Sequence, residues 1–420
     1  MSHRTPVFAA SLVLGMAFSF ACASSVSFAQ SADREKPKLK DFGSSLKRLK
    51  WDPNTNSAID TKRKKDKPKD SEEVDVVRVE TTLVVCDVLI VDQRGQPVRG
   101  LTEKDFELTE DGQPQQVGMF SLGDNASIPK SIVLVIDYSG SLLPYINMSV
   151  EAAKTLVDQL GPKDRMAIVT DDIKLLEDFT DDKGKLKSKL ESLKKKALGR
   201  DAMFGWFRGH SLQFSALMAS LRELFSAEDV RPVVIFQTDG DELELLQPQP
   251  AKVAPIMRPI VKNFSLADLY KEAEKSRATI YSIIPGIRLI GFSESEQIER
   301  AKRIIKDEVL ARPRLHWTPS NEAMNEAISS VVRTRLHQQS ALAELSALTG
   351  AWPSFLEDPS QAGDIYASIF SDINRRYIVG YYPTNKEHDG KRRKVNVVVR
   401  GHPEYIVMGR KSYYAPESEQ

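Results

Sequence analysis

Two apolar runs that each stop abruptly at an acid restrict this chain more than any other feature. Ser131-Ile-Val-Leu-Val-Ile-Asp-Tyr-Ser-Gly-Ser141 carries an unbroken apolar stretch, 132–136, followed by an acid, a hydroxyl, a glycine and a second hydroxyl. An apolar run of this length without polar alternation reads as a strand covered on both faces. Pro232-Val-Val-Ile-Phe-Gln-Thr-Asp-Gly-Asp241 repeats the design and reaches its acid at Asp239. A chain with such strands needs layers above and below them.

The segment 131–376 supplies those layers. Strand candidates at 132–136, 165–170, 232–237, 279–284 and 352–356 alternate with amphipathic helix candidates at 146–160, 183–195, 212–225, 266–275, 321–348 and 362–375. Such alternation predicts an α/β fold with a doubly wound, mainly parallel sheet. The stretch 286–339 is long for one connection and is expected to be a helical insertion on the rim.

The flanking segments read differently. Residues 76–125 and 377–415 are rich in β-branched and aromatic residues punctuated by turn signals such as Asp92-Gln-Arg-Gly95 and Asp389-Gly390. They predict an accessory β-sandwich built from N- and C-terminal strands, because chain ends tend to lie close together. Residues 30–75 are charged and poor in large apolar residues, which predicts a disordered linker. The first residues combine Arg4, an uncharged apolar stretch over 7–23 and small residues at Ser27 and Ala29. They predict a signal peptide over 1–29, with an uncleaved anchor helix as the other reading. A cleaved chain would be exported, to the periplasm, cell envelope or medium, without an integral membrane span. It would retain Cys86 as its single thiol, placed among apolar strand residues as a buried small hydrophobe.

Charge excludes one class of partner. The chain has 59 Lys and Arg against 58 Asp and Glu, so no overall field points to nucleic acid. Enzyme signatures are missing too: no Gly-x-Ser-x-Gly surrounds Ser139, no pair of histidines has zinc-ligand spacing, and no phosphate-binding glycine loop follows a strand. The chain is therefore expected not to be an enzyme, and a hydrolase is the least supported reading.

The acids at the strand ends suggest a cation. Parallel strands end on one edge of the sheet, where open α/β folds bind ligands, so Asp137 and Asp239 can converge. Two close carboxylates repel unless something positive lies between them. A hard divalent cation held by carboxylates and neutral hydroxyls solves this; magnesium, which keeps near-octahedral geometry and retains waters, suits such a site, with manganese and calcium as the other candidates. The same residues also suit a plain strand-end turn in which a serine caps the following helix.

Asp137-Tyr-Ser139-Gly-Ser141 resembles the metal-ion-dependent adhesion site of von Willebrand factor type A domains. Gly100-Leu-Thr-Glu-Lys-Asp-Phe106, Glu110-Asp-Gly112, Thr238-Asp-Gly240, Leu348-Thr-Gly350 and Tyr377-Ile-Val-Gly-Tyr-Tyr-Pro383 are similar to a bacterial branch of that family. The resemblance implies metal ligation by Asp137, Ser139, Ser141 and Asp239. It also implies a hydroxyl from a second loop, where the family's Gly-Gly-Thr is replaced by Gly209-His-Ser211. Ser211 matches that position and Asp201 is its competitor. The resemblance implies an exported bacterial protein that binds or adheres to a partner protein, whose Asp or Glu completes the metal's coordination. The alternative is a structural scaffold of the envelope that uses the fold without metal.

Overall fold

The computed structural model describes residues 49–52, 57–60, 83–125, 127–204, 211–226, 231–246, 264–310 and 320–417. The expected signal peptide lies outside them, as do residues 205–210 of the second loop.

Strands β1 (Leu49–Asp52) and β2 (Ser57–Asp60) form a two-stranded antiparallel sheet, Leu49 opposite Asp60 and Asp52 opposite Ser57. This corrects the expectation of an unstructured linker at that point. Leu49 and Trp51 alternate with Lys50 and Asp52 around a Pro- and Asn-containing connection, a hairpin pattern hidden by the charged stretches beside it.

Strands β3 (Val84–Val91), β4 (Phe106–Glu110), β5 (Gln113–Gln115) and β6 (Val117–Leu122) come next. Asp111 and Gly112 turn β4 into β5 with positive φ, 47° and 83°, as a tight two-residue hairpin requires.

The α/β part then begins with β7 (Lys130–Ile136), every residue of which is buried. A 3₁₀ turn (Gly140–Leu142) leads into α1 (Leu143–Gln159), with Pro144 in the first turn, where its missing N–H costs nothing. Then follow β8 (Arg165–Thr170), β9 (Lys174–Thr180), α2 (Lys183–Phe204), α3 (Gln213–Glu223), β10 (Arg231–Gln237), the short α4 (Leu243–Leu246), α5 (Leu266–Lys275) and β11 (Thr279–Pro285). The rim helices α6 (Glu294–Leu310) and α7 (Asn321–Leu348), β12 (Ser354–Leu356) and α8 (Ala362–Arg375) complete it. The six strands lie in the order β12-β11-β10-β7-β8-β9, parallel except for β9.

Strand alternation divides this core into two layers. Ile132, Leu134 and Ile136 of β7 face Val150 and Leu156 of α1, Leu186 and Leu190 of α2, and Tyr366 and Ile369 of α8. Val133 and Val135 face Phe214 and Leu217 of α3, Leu269 of α5, and Leu342 and Leu345 of α7. Burial on both faces is what the unbroken apolar run required. The rim helices have a small core of their own at Ala301, Ile305 and Ile328.

Strands β13 (Tyr377–Tyr381), β14 (Arg392–Val399), β15 (Ile406–Met408) and β16 (Ser412–Tyr414) return to the N-terminal strands. One sheet has the order β15-β3-β13-β6 and the other β16-β14-β4-β5. Both contribute to one core, with Cys86, Val88, Phe106, Leu108, Val379, Val395 and Val397 within it. The accessory sandwich is therefore made from strands that precede and strands that follow the α/β part. No described helix is long and apolar enough to cross a membrane.

Candidate metal centre

The site lies where β7, β8 and β10 end together. Asp137 follows β7 directly; its N–H donates to Gln237 O of β10 at 2.9 Å, so the strand-end register itself aligns the two loops. Asp137 is fully buried. Its Oδ1 accepts from Ser139 N at 2.9 Å, a local turn that bends the chain out of the strand. Its Oδ2 accepts from Thr238 Oγ1 at 2.9 Å, and Gly240 N donates to the same Thr238 oxygen at 3.0 Å.

Ser139 occupies the N-cap position of the 3₁₀ turn, yet its hydroxyl caps no backbone N–H. It lies 3.2 Å from the Ser141 hydroxyl. A plain capping turn would spend this oxygen on the helix end; here it faces a second hydroxyl, two residues beyond the buried Asp137.

Asp137, Asp239 and Asp241 can each offer an oxygen such that all three lie within 4.8 Å of one another. Asp239 is 4% exposed, and its Oδ1 has no hydrogen-bond partner among the described residues. Asp241 is half-buried and accepts from Gln213 Nε2 at 3.0 Å, while Gln213 Oε1 is buried without a partner. Burial, followed by the charges of Asp171, Asp239 and Asp241, holds the Asp137 carboxyl well above the usual carboxylate range. Burial and the charge of Asp239 push Asp241 up to about 7, opposed by the Gln213 bond and by Arg335. These carboxylates are packed more closely than their mutual repulsion favours, and one of them keeps a buried oxygen without a partner among the described residues. That donor set fits a hard divalent cation.

Ser211 reaches the first loop through a residue that the strand-end pattern did not single out. Its hydroxyl donates to Asp171 Oδ2 at 2.7 Å, and Asp171 Oδ1 accepts from Tyr138 N at 3.3 Å. Asp171 O also accepts from Leu212 N, at 3.0 Å. Asp171 thus ties the second loop to the first. Asp201, the competitor of Ser211, falls within α2, which runs on to Phe204, past the expected end at residue 195. Asp171 and Asp241 were both legible as further strand-end acids: Asp171 follows β8 directly, and Asp241 is two residues beyond Asp239. Glu242 belongs to the scaffold. It accepts from Phe214 N at 2.6 Å, Ser215 N at 3.1 Å and Ser215 Oγ at 2.6 Å, anchoring the start of α3.

With β7 numbered as the first strand of the α/β part, the sheet order is 3-2-1-4-5-6, and the acidic loops flank the point where it reverses. The α/β part is thus a doubly wound fold with one antiparallel edge strand, β9. No protein-family model matches the chain, and no curated protein is similar to it in sequence. Among solved structures it is similar to the von Willebrand factor domain of the type V pilus tip protein Mfa5 from Porphyromonas gingivalis. That match has 13% identity and a TM-score of 0.33, over 59% of this chain and 95% of the other. It is also similar to the manganese-loaded TRAP protein of Plasmodium vivax, at 13% identity and a TM-score of 0.29, over 74% of this chain and all of the other. A third match, the pilus adhesin SpaC of Lactobacillus rhamnosus GG, has 9% identity and a TM-score of 0.35, over 74% of this chain and 48% of that one. Similarity this remote leaves function to be argued from the site.

Proposed function

We propose that this chain is an exported binding protein that grips a partner through a divalent cation at the β7/β10 edge. The observation that carries the reading is the cluster of Asp137, Asp239 and Asp241, in which the buried Asp239 Oδ1 has no hydrogen-bond partner among the described residues. Asp137, Asp239 and Asp241 would hold the ion with carboxylates, and Ser139 and Ser141 with hydroxyls. Ser211 would contribute through its bond to Asp171. Magnesium suits an all-oxygen set that leaves positions for water. The bound ion would supply an electrophilic centre with one position open to an Asp or Glu carboxylate of a partner protein. Ser139 and Ser141 lie 3.2 Å apart, hydroxyl to hydroxyl, which supports reading them as ligands.

Calorimetric titration with magnesium and with manganese tests the reading. Wild type is expected to bind one ion, and Asp137→Asn, which keeps the shape but removes the charge, is expected to lose binding. Absence of binding by wild type, or equal binding by the variant, would overturn it. The scaffold reading draws on the Arg335–Asp239 ion pair, which already places a positive charge at the cluster. Partner association that is identical with and without chelator would favour it.

A further inference from the structure

Among the described residues, one cationic side chain reaches the acidic cluster. Arg335 of α7 brings Nη1 to 3.5 Å from Asp239 Oδ2, and donates to Gln338 Oε1 at 3.3 Å. The pair is longer than a well-made charged hydrogen bond, and it leaves Asp239 Oδ1 without a partner. The Arg335 side chain is 25% exposed against 4% for Asp239. Its charge also acts on Asp241 and on the Tyr145 hydroxyl, at the start of α1.

The helix that carries Arg335 is held against the metal loop. Gly240 has φ +75°, and a Cβ there would lie 3.2 Å from Leu342 Cδ1 and 3.4 Å from Gln338 Cβ. Ser282 Oγ of β11 donates to Leu342 O at 2.9 Å, and Ser346 Oγ donates to Ser282 Oγ at 2.9 Å. Gln339 Oε1 accepts from Leu289 N at 2.8 Å and Ile290 N at 3.1 Å, and its Nε2 donates to Ile287 O at 2.9 Å. These bonds fix the turn of α7 next to Arg335, while the long, partly exposed side chain stays able to swing towards water.

We propose that Arg335 is a tethered counter-charge that competes with a divalent cation for Asp239 and so sets the metal affinity of the site. The proposal rests on the metal reading above. A guanidinium keeps its charge at every accessible pH, so it partly neutralises the cluster whenever no ion is bound. An entering ion must displace it or bind beside a like charge. The rim insertion thereby gives the site a threshold: only cation concentrations that outcompete Arg335 would open it to a partner's acid.

The test is calorimetry with magnesium and manganese on wild type, Arg335→Gln and Arg333→Gln. Arg333 is an exposed residue of the same helix, so its substitution makes the same change in net charge. Arg335→Gln is expected to bind about tenfold more tightly than wild type, as loss of a partly buried competing pair allows, and Arg333→Gln to match wild type. Melting in chelator gives a second readout: Arg335→Gln should melt below wild type without metal and gain more on metal addition. If wild type and Arg335→Gln bind equally, the metal reading stands and Arg335 has no such role. If Arg335→Gln binds more weakly, Arg335 supports the ion and the proposal is overturned. If neither protein binds, the metal reading itself fails and the proposal falls with it.

Discussion

At the scale of single residues, the site depends on atoms that have no good partner, and on one that has no side chain. Gly240 sits between the acids Asp239 and Asp241, in a left-handed conformation, with Leu342 and Gln338 of α7 pressed against its Cα. An alanine there meets two obstacles: the positive φ strains any L residue, and its methyl crowds Leu342 Cδ1 of α7 at 3.2 Å, which must give by a few tenths of an ångström. Gly240→Ala is expected to destabilise the protein by about 1–3 kcal/mol, read as a lower urea midpoint. It should also weaken metal binding, because the strain is relieved by shifting the two acids on either side. An unchanged midpoint would show that α7 does not rest on this loop. The sequence marked Gly240 only as part of Thr238-Asp-Gly240; the approach of α7 joins residues about a hundred positions apart, and no local pattern encodes it.

At the scale of elements, the sequence was most legible where burial is complete. The expected strand 165–170 is β8 residue for residue, and the expected helices 266–275, 321–348 and 362–375 are α5, α7 and α8. β9 was missed because Lys174-Leu-Leu-Glu-Asp-Phe-Thr180 pairs on one side only, at the edge of the sheet, and carries charges. Asp137, Ser139, Ser141 and Asp239 were legible because a strand end is a local signal, whereas the Ser211–Asp171 bond is a tertiary one. The seam between the sandwich and the α/β part was not legible at all. Arg231 of β10, wholly buried, donates Nε to Asp87 Oδ2 at 3.0 Å, Nη1 to Gly123 O at 2.6 Å and Nη2 to Ile373 O at 2.8 Å. Arg376 donates to Asp87 O at 3.0 Å and to Gly350 O at 2.7 Å, and pairs with Asp372, which also accepts from Tyr281 OH at 2.5 Å. Removing one partner of a buried pair leaves an uncompensated charge, so Asp87→Ala is expected to cost about 3–5 kcal/mol. The surface pair Arg400–Glu107, 65% and 50% exposed, gives the contrast: Arg400→Ala should cost at most about 1 kcal/mol. Equal urea midpoints for the two variants would show that the seam does not bear on stability.

At the scale of the whole molecule, these contacts make the sandwich and the α/β part interdependent. The chain enters the sandwich through β3 to β6, builds the α/β sheet, and returns through β13 to β16. β13 lies between β3 and β6, and β14 lies between β4 and β16. The C-terminal strands are also strapped to α5: Arg410 donates to Glu274 O and to Ala278 O, and Arg392 and Ser412 both bond the Glu274 carboxylate. A close backbone approach adds to this, since a Cβ on Gly350 would lie 2.4 Å from Gly409 C. Neither part can then open without exposing buried arginines or unpaired strands of the other. The full chain is therefore expected to unfold in one transition, with calorimetric and van't Hoff enthalpies equal. A chain ending at Arg376 should lose more than its own strands. It strips β3 of both neighbours, leaving an apolar strand with open edges of the kind that aggregates, and it withdraws the α5 straps. The expected outcome is an aggregated product. A soluble truncated protein that melts at the temperature of the full chain would instead show two independent parts, and the acidic edge would then owe nothing to the sandwich beside it.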